Sequence, residues 1–236
     1  MNRMPKTAGI IGGIGPESTI DYYRLILAVY KERVGDGSAP SLIIDSVNMK
    51  AFVELVSTNA LDRLADQLAG EVERLARGGA GCALIAANTP HLVFDEVRRR
   101  SPIPMISIVE TTCAAAKALG LRKTGLFGAR FTMQARFYPD VFAREGLSIA
   151  VPTPEEQVYI HDKYMNELVP GVFRDETRDE LLRIAKAMQE RERIDGLILG
   201  GTELPLILRD SAGAGGIPFL DTTQIHVRAL VAWLLS

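Results

Sequence analysis

Four short segments carry the residues best suited to chemistry, and each follows an apolar run. The first is Gly12-Gly13-Ile14-Gly15-Pro16-Glu17-Ser18-Thr19. Its glycines permit a tight turn and let a ligand approach the backbone closely. Pro16 suits the first helical position, where a missing N–H costs nothing. The free N–H groups of that helix start, reached past Gly15, offer a place for an anion, and Glu17 is a candidate for moving a proton. The second segment is Ala87-Asn88-Thr89-Pro90-His91. Asn88 and Thr89 bring amide and hydroxyl donors to a helix start, a neutral cradle for a carboxylate, although capping the helix would use the same atoms. His91 either donates to a ligand or packs in the core. The third, Gly128-Ala129-Arg130-Phe131-Thr132-Met133, offers the Thr132 hydroxyl for a carboxylate or a cap. The fourth, Gly200-Gly201-Thr202-Glu203-Leu204-Pro205, places Glu203 at a helix start, where it suits either the helix dipole or acid–base work.

Other chemistries fit less well. The Gly13-x-Gly15 spacing is followed by Ser18 where a dinucleotide fingerprint wants a third glycine, and Asp45 lies too far along to serve as its ribose ligand. The two cysteines, Cys82 and Cys113, have no metal-ligand spacing and are too few for a secreted disulfide framework; no metal site is expected. The formal net charge of −2 gives no field that would gather nucleic acid or anionic lipid. The one basic run, Arg98-Arg99-Arg100, suits the C-terminal turn of a helix. No apolar stretch is long enough to span a bilayer. Met1-Asn2-Arg3 leads almost directly into a glycine-rich turn, leaving no room for a signal-peptide core. The expectation is a soluble protein of the reducing cytoplasm, without nucleic-acid or membrane partners.

The elements that must position these segments are legible from periodicity. Brief apolar runs read as strands over residues 8–12, 42–47, 83–87, 105–108, 125–128, 148–151, 196–200 and 219–220. They are apolar on both faces, as parallel strands covered by helices must be. Helical patterns separate them; Leu61, Leu64, Leu68, Val72 and Leu75 form one stripe. This alternation predicts an α/β fold with mostly parallel sheets and right-handed crossovers. The pattern also repeats. Lys6-Thr7-Ala8-Gly9-Ile10-Ile11-Gly12 resembles Lys123-Thr124-Gly125-Leu126-Phe127-Gly128, and the run from Cys82 to Pro90 resembles that from Gly196 to Leu204, at offsets of 117 and 114 residues. The reading is a duplicated protein of two pseudo-symmetric lobes, residues 1–104 with 217–236 and residues 105–216, with a cleft between them. The small-residue stretch from Ser211 to Gly216 reads as a loop.

Taken together, these segments resemble the aspartate/glutamate racemase family over nearly the whole chain. The loop from Gly12 to Thr19, Asn88-Thr89-x-His91, Gly128 to Met133 with Phe137-Tyr138, Gly200-x-Thr202-Glu203-x-Pro205-Leu206, His161-Asp162-Lys163 with Glu167-Leu168, and Asp221-Thr222-Thr223 with His226 all match its motifs. The resemblance implies a homodimer without any cofactor. It implies that Asn88, Thr89, Thr132 and Thr202 hold the α-carboxylate of a small amino dicarboxylic acid, while Lys163 meets its distal carboxylate. Such enzymes invert Cα with two thiols on opposite faces. Here the two cysteine positions read Ala87 and Gly201. Cys82 cannot stand in for the first, being roughly 16 Å away along an extended chain, and Cys113 reads as helix core. The implied function is therefore binding of, or Cα proton transfer on, a small carboxylic acid without the standard pair of thiols. The remaining proton-transfer candidates are Glu17, His91, Glu203 and Thr202. A regulatory carboxylate binder, or a lyase or isomerase using Glu or His, is the alternative.

Overall fold

The fold was taken from a computed structural model, which describes residues 6–209 and 216–236; most of the loop expected from Ser211 to Gly216 lies outside them. The chain divides into two compact units, one running up to Ile108 and completed by His226–Ser236, the other spanning Val109–Ile225. Both are α/β, as the periodicity implies.

The first unit contains β1 (Thr7–Gly12), α1 (Pro16–Val34), β2 (Ser41–Ser46), α2 (Met49–Ser57), α3 (Leu61–Arg77), β3 (Cys82–Ile85), a 3₁₀ turn (Thr89–Leu92), α4 (Phe94–Arg100) and β4 (Met105–Ile106). The second contains β5 (Lys123–Phe127), α6 (Arg130–Gln134), α7 (Phe137–Arg144), β6 (Ser148–Ala150), α8 (Pro154–Lys163), a π-helical turn (Tyr164–Leu168), α9 (Asp175–Glu192), β7 (Gly196–Leu199), α10 (Leu204–Leu208) and β8 (Phe219–Asp221). Two helices span the unit boundaries, α5 (Ile108–Ala118) and α11 (Thr222–Leu235).

Each sheet has four parallel strands, ordered β2-β1-β3-β4 in one and β6-β5-β7-β8 in the other. The two orders are the same, and so are the registers. Ile11 pairs with Ile85 as Phe127 pairs with Leu199, offsets of 116 and 114 residues. The first offset is one less than the Lys-Thr match suggested: by register Ala8 corresponds to Thr124.

The strand glycines follow from the same duplication. A Cβ on Gly9 would lie 3.0 Å from Leu75, on the helix preceding β3. A Cβ on Gly125 would lie 2.8 Å from Ile194, just after the helix preceding β7. In each unit the first strand gives up its side chain so that the covering helix can pack down on the sheet.

The expected lobe boundaries need correction at both ends. β4 pairs with β3, so the strand at Met105 belongs with the first sheet. β8 pairs with β7, so the stretch at Phe219 belongs with the second. A two-residue and a three-residue strand are too short for their sequence to reveal which sheet edge satisfies their backbone hydrogen bonds. The expectation of strands apolar on both faces fails at β2, an edge strand whose Ile44 is substantially exposed.

The stripe on α3 behaves as read: Leu64, Leu68, Val72 and Leu75 are buried. From His226 onward α11 packs into the first unit, where Val227, Leu230 and Val231 join Ala8, Ile10, Tyr22, Ile26 and Leu84 in one core. On α1, Tyr22 is fully buried while Ile20 and Tyr23 remain well exposed. No helix among the described residues is long and apolar enough to cross a membrane.

His226 ties that core together. Its Nε2–H donates to the Ile106 carbonyl (3.0 Å), so in the neutral ring Nδ1 accepts from the Tyr22 hydroxyl (2.9 Å). Burial pushes its pKa down to about 4. A histidine depressed in the folded state binds its proton more readily when unfolded, so stability is complete above about pH 6.5 and falls as pH is lowered toward 4. Urea melts at pH 7.5, 6 and 5 should show a loss approaching about 1.4 kcal/mol per pH unit from this one group. The His226→Asn variant should be less stable at pH 7.5 and should show a shallower slope.

Candidate functional site

In both sheets the winding direction reverses between the first and third strands in sequence, β1/β3 and β5/β7. Loops leaving adjacent strands at such a reversal depart to opposite sides, and ligands of open α/β sheets bind beyond the carboxyl ends there. All four segments singled out from the sequence leave these strands.

In the first unit, Gly13 and Gly15 adopt φ of +82° and +86°, the left-handed region that favours glycine. Thr19 folds back from α1 to lock the turn, its Oγ1 accepting from the Gly13 N–H (2.9 Å). Pro16 opens α1 as expected, and Glu17 is exposed on its first turn. After β3, Ala87 and Asn88 are buried and Thr89 is half-buried. The chain enters a 3₁₀ turn rather than an α-helix, and the Asn88 side chain makes no capping hydrogen bond to it. His91 is also buried, stacked on Phe94 with ring centroids 4.5 Å apart. Its Nε2 accepts the Ile108 N–H at the start of α5 (3.2 Å). Burial pushes His91 down to about 3, against the pull of the Asn88 and Ala87 backbone groups. It is a neutral ring that splices the loop after β3 to the start of α5.

In the second unit, Thr132 is buried on α6 and packs over the ends of both central strands. A Cβ on Gly128 would lie 3.1 Å from Thr132 Cβ, and one on Gly200 would lie 3.4 Å from Thr132 Cγ2. Thr202 and Glu203 follow β7, both buried. Thr202 Oγ1 donates to Glu203 Oε2 (3.3 Å), and so does the hydroxyl of Tyr164, a residue the sequence reading passed over. Burial, then the Glu203 charge, raise the Tyr164 phenol well above its ordinary range, so it is neutral. Tyr164 opens the π-helical turn after α8.

Its neighbour Lys163 forms an ion pair with Glu167 (2.5 Å), which also accepts from Thr177 Oγ1 (2.5 Å). His161 Nδ1 accepts from the Arg130 N–H (3.2 Å), and burial lowers its pKa. Cys82 begins β3, with its thiol pushed up to about 11 by burial; Cys113 is likewise buried and raised. Among the described residues no group of three His, Cys, Asp or Glu could hold a metal.

Residues 11–230 match the Asp/Glu/Hydantoin racemase family. The chain belongs to this family. An aspartate racemase homologue from Pyrococcus horikoshii OT3 is 35% identical in sequence, with a TM-score of 0.85 over 99% of this chain and all of that one. An Asp/Glu racemase candidate from Yersinia pestis is 29% identical, with a TM-score of 0.88 over 98% of this chain and all of that one. The broad specificity amino-acid racemase RacX of Bacillus subtilis (strain 168) is 20% identical over 233 residues, 97% of this chain and 98% of the relative.

Within this racemase-family chain, Tyr164 gives position 201 its character. Gly201 is not among the glycines with positive φ, so its backbone would accept a side chain. What excludes one is the tyrosine ring: a Cβ at 201 would lie 2.4 Å from Tyr164 Cε2, 2.9 Å from Cζ and 3.0 Å from the hydroxyl oxygen. The only sequence signal was the place of Tyr164 beside the matched Lys163; nothing in the order of residues says that it reaches Gly201.

A Gly201→Ala substitution should cost about 1–3 kcal/mol through overpacking. In a Tyr164→Ala background the same change should cost much less. A double-mutant cycle by urea unfolding measures the coupling.

Proposed function

We propose that this chain binds a small carboxylic acid of the amino dicarboxylic type beyond the carboxyl ends of its strands and transfers a proton at its Cα without a cofactor. The observation that carries this reading is the paired construction: in each unit the donor-bearing segments leave the two strands at the reversal of the sheet. Asn88 and Thr89 follow the third strand of one unit; Thr202 follows the third strand of the other, beside Thr132. On this reading these groups are neutral donors for the ligand's α-carboxylate. The names of the relatives, an aspartate racemase homologue and a broad specificity amino-acid racemase, agree with an amino-acid ligand.

Two-thiol inversion is not part of the proposal. Ala87 and Gly201 carry no ionisable atom, and both cysteines are buried and hold their protons. That same observation favours the second reading, a carboxylate-binding protein without turnover.

Lys163 enters with a qualification from its geometry. Its ammonium is already neutralised by Glu167, so a distal carboxylate on the ligand would compete with an internal one.

Calorimetry with L- and D-aspartate and L- and D-glutamate should detect binding to at least one. Thr132→Val should weaken it about tenfold, the order expected for losing one hydrogen bond to a charged group. Glu167→Gln should release Lys163 and tighten dicarboxylates several-fold relative to alanine. Lack of binding to all four acids would remove the carboxylate reading.

A further inference from the structure

We propose that Tyr164 and Glu203 form a one-sided proton relay, in which the Tyr164 hydroxyl exchanges a proton with Cα of the bound acid and the Glu203 carboxylate stores it. This rests on the carboxylate site proposed above and names the group that would act there. Three observations support it. The pair is buried at the carboxyl end of β7, beside the reversal of its sheet, where a ligand of such a fold meets the protein. The phenol oxygen lies 3.0 Å from where the Cβ of residue 201 would be, so the hydroxyl occupies the space a side chain at that position would fill. Tyr164 also begins a π-helical turn, with the Val169 N–H donating to the Tyr164 carbonyl (2.9 Å), the kind of local irregularity that re-aims a side chain at a functional position.

The step balances within these groups. The Cα–H bond breaks and its proton goes to the Tyr164 oxygen. The phenol's own proton passes along the existing hydrogen bond to Glu203 Oε2. The electron pair stays on the ligand as the enolate of its carboxylate, and Glu203 becomes a neutral acid. The reverse sequence returns the proton to the same face. The phenol is neutral at both ends of the step, in keeping with the upward push that burial and the Glu203 charge give it. Thr202, which donates to Glu203 Oε2, fixes the carboxylate's orientation. With no ionisable atom on Ala87, the relay has no counterpart from the first unit's matching position. The expected chemistry is therefore exchange with retention of configuration, not inversion.

The test follows the Cα proton of L- and D-aspartate and L- and D-glutamate in D₂O by NMR, with configuration read by chiral chromatography and binding by calorimetry. The intact chain should exchange one enantiomer of a bound acid without inverting it. Tyr164→Phe should lower exchange at least 100-fold, the usual scale for losing a proton-transfer group, while Kd changes less than about threefold. Glu203→Gln should also lower exchange, because the phenol's proton then has no carboxylate to receive it. Gly201→Ala, which pushes the ring aside while keeping both groups, should also lose exchange, and circular dichroism should show each variant folded. Binding without exchange, exchange with inversion, or undiminished exchange in folded Tyr164→Phe overturns the relay and leaves the carboxylate site standing. Absence of binding to all four acids overturns both.

Discussion

A parallel four-stranded sheet whose first strand lies inside it has to change its winding direction once. In this chain the change falls beside β1 in one unit and β5 in the other. Right-handed crossovers then send the helices after the first and third strands to opposite faces, and the loops between them part. Everything of chemical interest in the molecule hangs on that gap. Gly12 to Thr19 and Ala87 to His91 border one reversal; Gly128 to Met133 and Gly200 to Glu203 border the other. Gly9 and Gly125 let the covering helices settle on the central strands. Matching registers in the two sheets keep the paired strand ends level in each unit.

At the end of β7 the structure makes an exchange of volume. Gly201 contributes no side chain, and Tyr164 brings a ring into the space. The hydroxyl on that ring donates to Glu203 Oε2, in a place where an unpaired carboxylate oxygen would be costly. The second position that the family resemblance assigns to a thiol is therefore a refilled site, with a phenol and a carboxylate where a smaller acid would have stood. The first position differs. Ala87 is buried, as is Asn88 after it, and His91 is taken up in holding the start of α5.

The chain's three histidines share one physical fate. His91, His161 and His226 each accept or donate a hydrogen bond within the fold, and burial lowers the pKa of each. Imidazole is the usual side chain for proton transfer near neutral pH because its ordinary pKa lies there. In this protein the fold withdraws two of the three far from that range and uses them as neutral connectors. Proton chemistry near neutrality then falls to carboxylates and to hydroxyl groups that touch them, and the buried Glu203 with its two hydroxyl neighbours is the clearest such group.

Much of this was written in the order of residues. Brief apolar runs and period-3.6 patterning were enough for the α/β class, the eight strands and the helix over Leu61–Arg77, because burial on two faces or one stripe leaves a local trace. The glycine turn, Pro16 and the repeated segments were legible for the same reason: φ above zero, a missing N–H and a duplicated strand are local facts. The ion pair of Lys163 with Glu167 was also within reach, four residues apart on continuous helical structure. What only the tertiary structure decided depends on residues brought together across long stretches of chain. β4 and β8 join their sheets through pairings that two or three residues cannot announce. His91 is a connector because Ile108 comes to it. Tyr164 fills the place beside Gly201 because α8 ends in a π-helical turn against the end of β7, a coincidence of packing that leaves no mark on either segment alone.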